Sequence, residues 1–160
     1  MHPRASELIR RLGLEPHPEG GLFRRTYQAT LGVKPDDARG SRRALTAIYY
    51  LLVDRGISRW HRVGSDEAWH WYEGAPLELF SVSADGVISS RNLGPLSDRS
   101  MTQHVVPAGA WQAARCGGDY TLVGCCVAPG FEFADFALLA ALPATERPNL
   151  TPAALLAEFL

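Results

Sequence analysis

This chain has little of what most often announces a function. Its 160 residues carry 16 Lys and Arg against 17 Asp and Glu, for a formal net charge of -1. The basic residues are dispersed, so the clustered positive face expected of a nucleic-acid partner is missing. No uninterrupted apolar run is long enough to cross a bilayer, and the segment Met1-His2-Pro3-Arg4-Ala5-Ser6-Glu7 lacks the apolar core of a signal peptide. The expectation is a cytoplasmic protein with no membrane partner. Only Cys116, Cys125 and Cys126 supply thiols, an odd number without metal-finger spacing. Reduced structural thiols are expected, with the adjacent Cys125 and Cys126 on opposite faces of a strand. Gly20-Gly21 and Gly117-Gly118 lack the following lysine or helix of a phosphate cradle, so turns explain them. There is no internal repeat and no low-complexity tract.

What is present suits one domain over residues 1–160, because a 46% hydrophobic composition over that length builds a full core. Leu8, Ile9 and Leu12 share a face of a short N-terminal helix, which Ser6 caps and Gly13 ends. The stretch Leu14 to Tyr27 passes from two prolines and a glycine pair into an alternating segment in which Phe23 and Arg25 share a parity. Lys34 to Ser41 is polar and turn-rich. From Ala44 onward the signals are almost all β, with Leu45–Leu52, Leu77–Val82, Thr102–Val106 and Tyr120–Val127 as strands and Asp85-Gly86 as a tight hairpin turn. Short strands at this spacing favour an antiparallel sandwich or barrel over a βαβ fold. Thr151 and Pro152 then open a C-terminal helix over 151–160 with Leu155, Leu156 and Phe159 on its apolar face.

The most informative run is Trp60-His61-Arg62-Val63-Gly64-Ser65-Asp66-Glu67-Ala68-Trp69-His70-Trp71-Tyr72-Glu73-Gly74, answered downstream by Pro107-Ala108-Gly109-Ala110-Trp111-Gln112. Polar groups among aromatic and apolar neighbours seldom enter a core without a partner or a purpose, so this pattern predicts a pocket. His61, Glu67 and Gly74 fall on three positions of the first cupin motif, and Pro107 and Gly109 fall on the Pro-x-Gly of the second. The blocks Pro16–Tyr27, Ser65–His70, Val106–Ala113 and Ala128–Phe133 further resemble cupin family 5, a cupin-like family of unknown function, over about residues 6–140. The resemblance implies an all-β jelly roll, or double-stranded β-helix barrel, with short N- and C-terminal helices. It also implies a homodimer and a small-molecule ligand inside the barrel, and it supplies no substrate.

The departures from the cupin pattern bear on cofactors. Where metal-binding cupins carry two further histidines, this chain has Val63 and Gln112. A divalent transition metal would then rest on His61, Glu67 and Gln112, with His70 as a fourth ligand only if a bulge turned it inward. The favoured expectation is a pocket without a metal cofactor, in which His61 and Glu67 form an acid/base pair, because imidazole titrates near neutrality and a neighbouring carboxylate orients it. The bland alternative is that the two simply satisfy one another inside the barrel.

Around them, Gln112 is expected to hold a substrate carbonyl or hydroxyl. Trp69 and Trp71, with the parity of Glu67, are expected to wall the pocket, and Trp111 to face ligand if the backbone bends there. Glu19, Phe23 and Arg25 are expected to close the mouth and anchor a polar or anionic substrate, with loop-tying by His17 and Glu19 as the alternative. Three functions follow: an isomerase- or epimerase-like enzyme acting on a carbohydrate or sugar nucleotide, a metal-dependent isomerase or oxygenase, and a non-catalytic metabolite binder. The first is the leading expectation, its substrate class resting on fold analogy.

Overall fold

The alternating segments build two facing antiparallel sheets in a computed structural model that describes residues 1–160. The six-stranded sheet runs in the order β1 (Glu15–Pro16), β2 (Leu22–Gln28), β5 (Thr46–Val53), β12 (Tyr120–Ala128), β7 (Asp66–Gly74) and β10 (Gln103–Val106). The five-stranded sheet runs β13 (Phe136–Leu138), β6 (Ile57–Val63), β11 (Gln112–Cys116), β8 (Leu77–Val82) and β9 (Ile88–Leu93). A small ribbon of β3 (Gly32–Val33) and β4 (Arg42–Arg43) stands apart, its two strands flanking the polar loop expected over Lys34–Ser41. From β5 onward successive strands mostly alternate between the two sheets, with β8 and β9 pairing as a hairpin, and this crossing connectivity gives the jelly-roll arrangement.

Three apolar clusters hold the fold. Between the sheets lie Tyr50, Leu52, Trp69, Leu77, Leu79, Leu93, Val106 and Val123. On the outer side of the five-stranded sheet, Trp60, Phe80, Trp111 and Leu139 pack with Phe159, the residue that follows helix α2 (Ala153–Glu158). The indole N–H of Trp60 donates to the Leu155 carbonyl at 3.2 Å, fastening that helix to the sheet. On the outer side of the six-stranded sheet, helix α1 (Pro3–Leu12) sets Leu8 against Leu51 and Leu122.

Two helix starts differ from expectation. The first helix begins earlier, capped by the His2 imidazole, which accepts from the Arg4 amide at 3.1 Å, with Pro3 as its first residue. Proline has no N–H to satisfy at that position, so it outcompetes the Ser6 signal. In α2 the cap position belongs to Pro152, one residue beyond Thr151, without a side-chain hydrogen bond. Gly13 ends the first helix in the left-handed conformation, as its lack of Cβ allows. No helix is long and apolar enough to cross a membrane.

Candidate active site

One end of the barrel interior is filled by a cluster of buried apolar side chains, and the other opens into a cavity of about 200 Å³. Its polar lining is His17, Glu19, Arg25, Thr46, His61 and Glu67, set among Phe23, Ile48, Val63, Cys125, Val127, Phe131 and Phe133. Arg25 and Phe133 are its exposed members and form the rim.

The turn before β2 places Glu19 there. Gly20 and Gly21 adopt φ of 111° and 64°, and a Cβ on Gly20 would lie 2.4 Å from the Ile57 carbonyl oxygen. Only glycine allows the turn to press so closely onto β6. Hydrogen bonds from the Arg59 amide to the Glu19 carbonyl (2.8 Å) and from the Tyr50 hydroxyl to the Gly20 carbonyl (2.8 Å) hold it down. Glu19 is thereby swung into the barrel and left 6% exposed. Its Oε1 accepts from the Ser58 hydroxyl at 3.0 Å, while Oε2 stands 3.4 Å from both His17 Nδ1 and His61 Nε2. A register shift between β11 and β6 brings both Ser58 and His61 to the inner side, although their odd separation would place them on opposite faces of a regular strand.

His61 and Glu67 both line the cavity, yet the carboxyl directly beside the His61 ring is that of Glu19. This corrects the expected pairing: the strand-to-strand geometry leaves Glu67 influencing His61 through charge, while the turn delivers Glu19 into contact. Glu67 is held instead by Gln112. Because an indole N–H can only donate, the 3.0 Å contact from Trp69 must reach the amide oxygen of Gln112, so the amide nitrogen faces Glu67 Oε2, at 2.6 Å.

The expected donor set for a metal therefore does not assemble. Gln112 spends its oxygen on Trp69 and its nitrogen on Glu67, and it does not line the cavity. No group of three or more His, Cys, Asp or Glu side chains has the geometry of a metal site.

The expected aromatic wall is also corrected. Trp69 points inward but is 1% exposed within the packed core, behind the site, and the Trp71 indole donates to the Ala75 carbonyl at 3.2 Å. Trp111, one residue from inward-pointing Gln112, obeys strand alternation and faces the opposite way, packing outside the sheet with Arg62 stacked 5.0 Å from its ring. His70 lies on the outer face of β7, between Gln103 and Gly124, and does not reach the cavity. Glu19, Phe23 and Arg25 do line it. Sequence reasoning passed over His17, Cys125, Phe131 and Phe133 as pocket residues. The Pro-His-Pro-Glu-Gly-Gly turn was the available signal for His17, whereas Phe131 and Phe133 arrive by a loop whose path is set by distant contacts.

Burial governs the electrostatics. It pushes the Glu67 carboxyl up to about 7, against the opposing pull of His61, with the charge of Glu19 adding to the rise. Burial also raises Glu19, against His17 and Ser58, and lowers both His17 and His61. The His17 ring is boxed by Phe23 at 4.6 Å and Tyr50 at 6.0 Å, and Phe136 lies 5.8 Å from the His61 ring. Burial raises the Cys125 thiol, so it is a poor nucleophile.

The cupin superfamily (DUF985) family model matches residues 6–139. The chain belongs to that family. Among solved structures, this cupin is similar to a Shewanella oneidensis protein at 32% identity and TM-score 0.81, covering 97% of this chain and 96% of that one. It is similar to a hypothetical protein from Leishmania major at 32% identity and TM-score 0.77, covering 83% and 85%. KdgF from a Halomonas species, at 12% identity and TM-score 0.54 over 76% of this chain and 89% of that one, shares the fold alone. Among curated proteins none matches this chain.

Proposed function

We propose that this cupin is an acid/base enzyme of the isomerase or epimerase class, moving a proton at the carbon beside a carbonyl of a small carbohydrate-type molecule. The observation that carries the reading is the burial of His61 and Glu67 on one mostly apolar cavity, with the Glu67 carboxyl raised to about 7. A carboxyl in that range is a competent base and conjugate acid at neutral pH, and such catalysis contributes on the order of 10²–10⁴-fold. Because Gln112 donates to Oε2, a proton taken up by Glu67 sits on Oε1. Neutral His61 presents the second titratable group.

Cavity size narrows the substrate. Pockets for drug-sized ligands run from roughly 300 to 1,000 Å³, so a space of about 200 Å³ suits a monosaccharide-sized compound better than a whole sugar nucleotide. Arg25 is the one Arg or Lys in the lining, burial disfavouring the charged forms of His17 and His61, and it supports a substrate bearing a carboxylate or another anion at its outer end. The homodimer and the cytoplasmic setting implied by the family complete the proposal, and light scattering on the purified chain checks the former.

The test is deuterium wash-in. In D₂O, aldoses, ketoses and their carboxylate derivatives are incubated with the protein, and exchange at the carbon beside the carbonyl is followed by NMR. Exchange that is lost in Glu67→Gln while binding persists supports the reading. Binding without exchange in the wild type would overturn it in favour of a metabolite carrier. Elemental analysis of untagged protein purified without chelators runs beside it, and stoichiometric metal lost in His61→Ala would also overturn it.

A further inference from the structure

The hydrogen bonds around Glu19 specify where a proton resides, independently of any substrate. His61 Nδ1 lies 2.8 Å from the Arg59 carbonyl oxygen, which can only accept, so Nδ1 carries the hydrogen and Nε2 of the neutral ring is a bare lone pair. The backbone N–H of Glu19 can only donate, and it reaches His17 Nδ1 at 3.4 Å, so that nitrogen is also a lone pair. Both lone pairs face the same oxygen, Glu19 Oε2, each at 3.4 Å. Three acceptors facing one another in a buried site repel unless a proton or a cation lies among them; their placement does not make a metal-binding group, and an ionised trio would leave a net negative charge in the barrel.

We infer that His17, Glu19 and His61 share one proton, seated on Glu19 Oε2, and that Glu19 is the general acid of the site. The inference deepens the acid/base reading and rests on it for its catalytic half. The remaining groups that act on Glu19 fit this seat. Oε1 is engaged by Ser58, the Tyr50 hydroxyl is turned to the Gly20 carbonyl, and the nearby Glu67 opposes a second negative charge while Arg59 favours one. Burial favours the neutral carboxyl in the same sense. The division of labour then has two carboxyls on one cavity. Glu67 takes the proton from the substrate carbon as the C–H pair becomes a C=C bond. The carbonyl π pair becomes an O–H bond with the proton from Glu19. Return of both protons, to either face or to the adjacent carbon, completes an epimerisation or isomerisation with no oxidant or reductant. His17 and His61 are positioning residues for the Glu19 proton in this scheme.

The experiment is NMR on the full chain with ¹⁵N-labelled histidine and ¹³C-labelled glutamate at neutral pH, assigned with Glu19→Gln and His17→Gln. The expected result is His61 with its hydrogen on Nδ1, His17 with its hydrogen on Nε2, and a Glu19 carboxyl carbon at the shift of a protonated acid. An ionised Glu19 beside a doubly protonated ring, or the reversed tautomer at His61, would overturn the assignment. The catalytic half is read separately, on whichever compound exchanges in the wash-in panel. Glu19→Gln, which keeps shape and neutrality, should lower exchange by 10²-fold or more with ligand affinity little changed, and Glu19→Asp should recover part of it. Undiminished exchange in Glu19→Gln overturns the acid role. If no compound exchanges with wild-type protein, the enzyme reading and the acid role fall together, while the NMR result still decides the seat of the proton.

Discussion

The two ends of the barrel interior are built from the same alternating strands and do opposite things. At the packed end, Trp69, Leu77, Leu79, Leu93 and Val123 are almost wholly removed from water in one apolar cluster. At the other end β7 and β12, continued by a few residues, present Glu67 and Cys125 to a cavity, joined there by His61 from β6. The first end stores stability, since apolar burial contributes about 25 cal/mol per Å². The second consumes it, because burying carboxyls and imidazoles disfavours their charged forms. Gln112 is the hinge between them, with its oxygen on Trp69 and its nitrogen on Glu67.

That contrast breaks most visibly at the packed end. Trp69→Ala should cost about 3–5 kcal/mol in denaturant unfolding, because the indole is fully buried and also anchors Gln112. A cost typical of a surface site would mean that the two ends do not differ as described.

The next largest effect lies at the cavity and depends on pH. Glu67 rises from 4.5 to about 7 on folding, so the native state retains a proton that the unfolded chain releases between those values. Stability from this group is therefore complete at low pH and declines as pH rises through that window, by roughly 3 kcal/mol in all. His17 and His61, lowered by burial, act with the opposite sign as pH rises toward their ordinary value. Denaturation of wild type and Glu67→Gln from pH 4.5 to 8 isolates the carboxyl: the variant should gain relative stability as pH rises. A parallel pair of curves would refute the shift.

Gln112→Leu tests the hinge. It strands the Trp69 N–H and removes the donor that lowers the Glu67 carboxyl, so unfolding should become about 1–3 kcal/mol easier and the Glu67 titration should move upward. The smallest stability effect belongs to the rim. Arg25→Ala should change unfolding by no more than about 0.5 kcal/mol, yet calorimetry should show weaker binding of anionic sugars with neutral ones unaffected.

Much of the fold was legible because alternation is a local property. Leu77–Val82 was read with the boundaries it has, and Tyr120–Val127 falls one residue short of its strand. Cys125 and Cys126 do separate, one into the cavity lining and one to the outer face, and all three thiols are free. The site was legible only where parity settles orientation. His61, Glu67, Phe23 and Arg25 follow from their strands, and Gln112 was read as pointing inward without any sign that both ends of its amide were already engaged. Trp111 was misplaced by supposing a bend where none exists. The His61 partner was misassigned because Glu19 lies 42 positions upstream on a turn that no strand rule describes.

The rim shows the same limit. Asp135 is held by Arg42 at 2.7 and 2.8 Å, with Arg39 at 3.4 Å, and this clamp fixes the loop that carries Phe131 and Phe133 over the cavity. The partners are more than 90 positions apart, so no local pattern announces them.

The sequence by itself determined an all-β cupin with terminal helices, a polar pocket around its first motif and free cysteines, since periodicity, turn chemistry and motif spacing act over a few residues. The tertiary structure alone decided that Glu19 rather than Glu67 touches His61, that Gln112 serves Trp69 and Glu67, and that the tryptophans stand behind or outside the cavity. Those outcomes depend on register shifts, on a glycine turn pressed against a distant strand, and on which of two hydrogen-bonding ends finds a donor, and such choices are made only when remote segments meet.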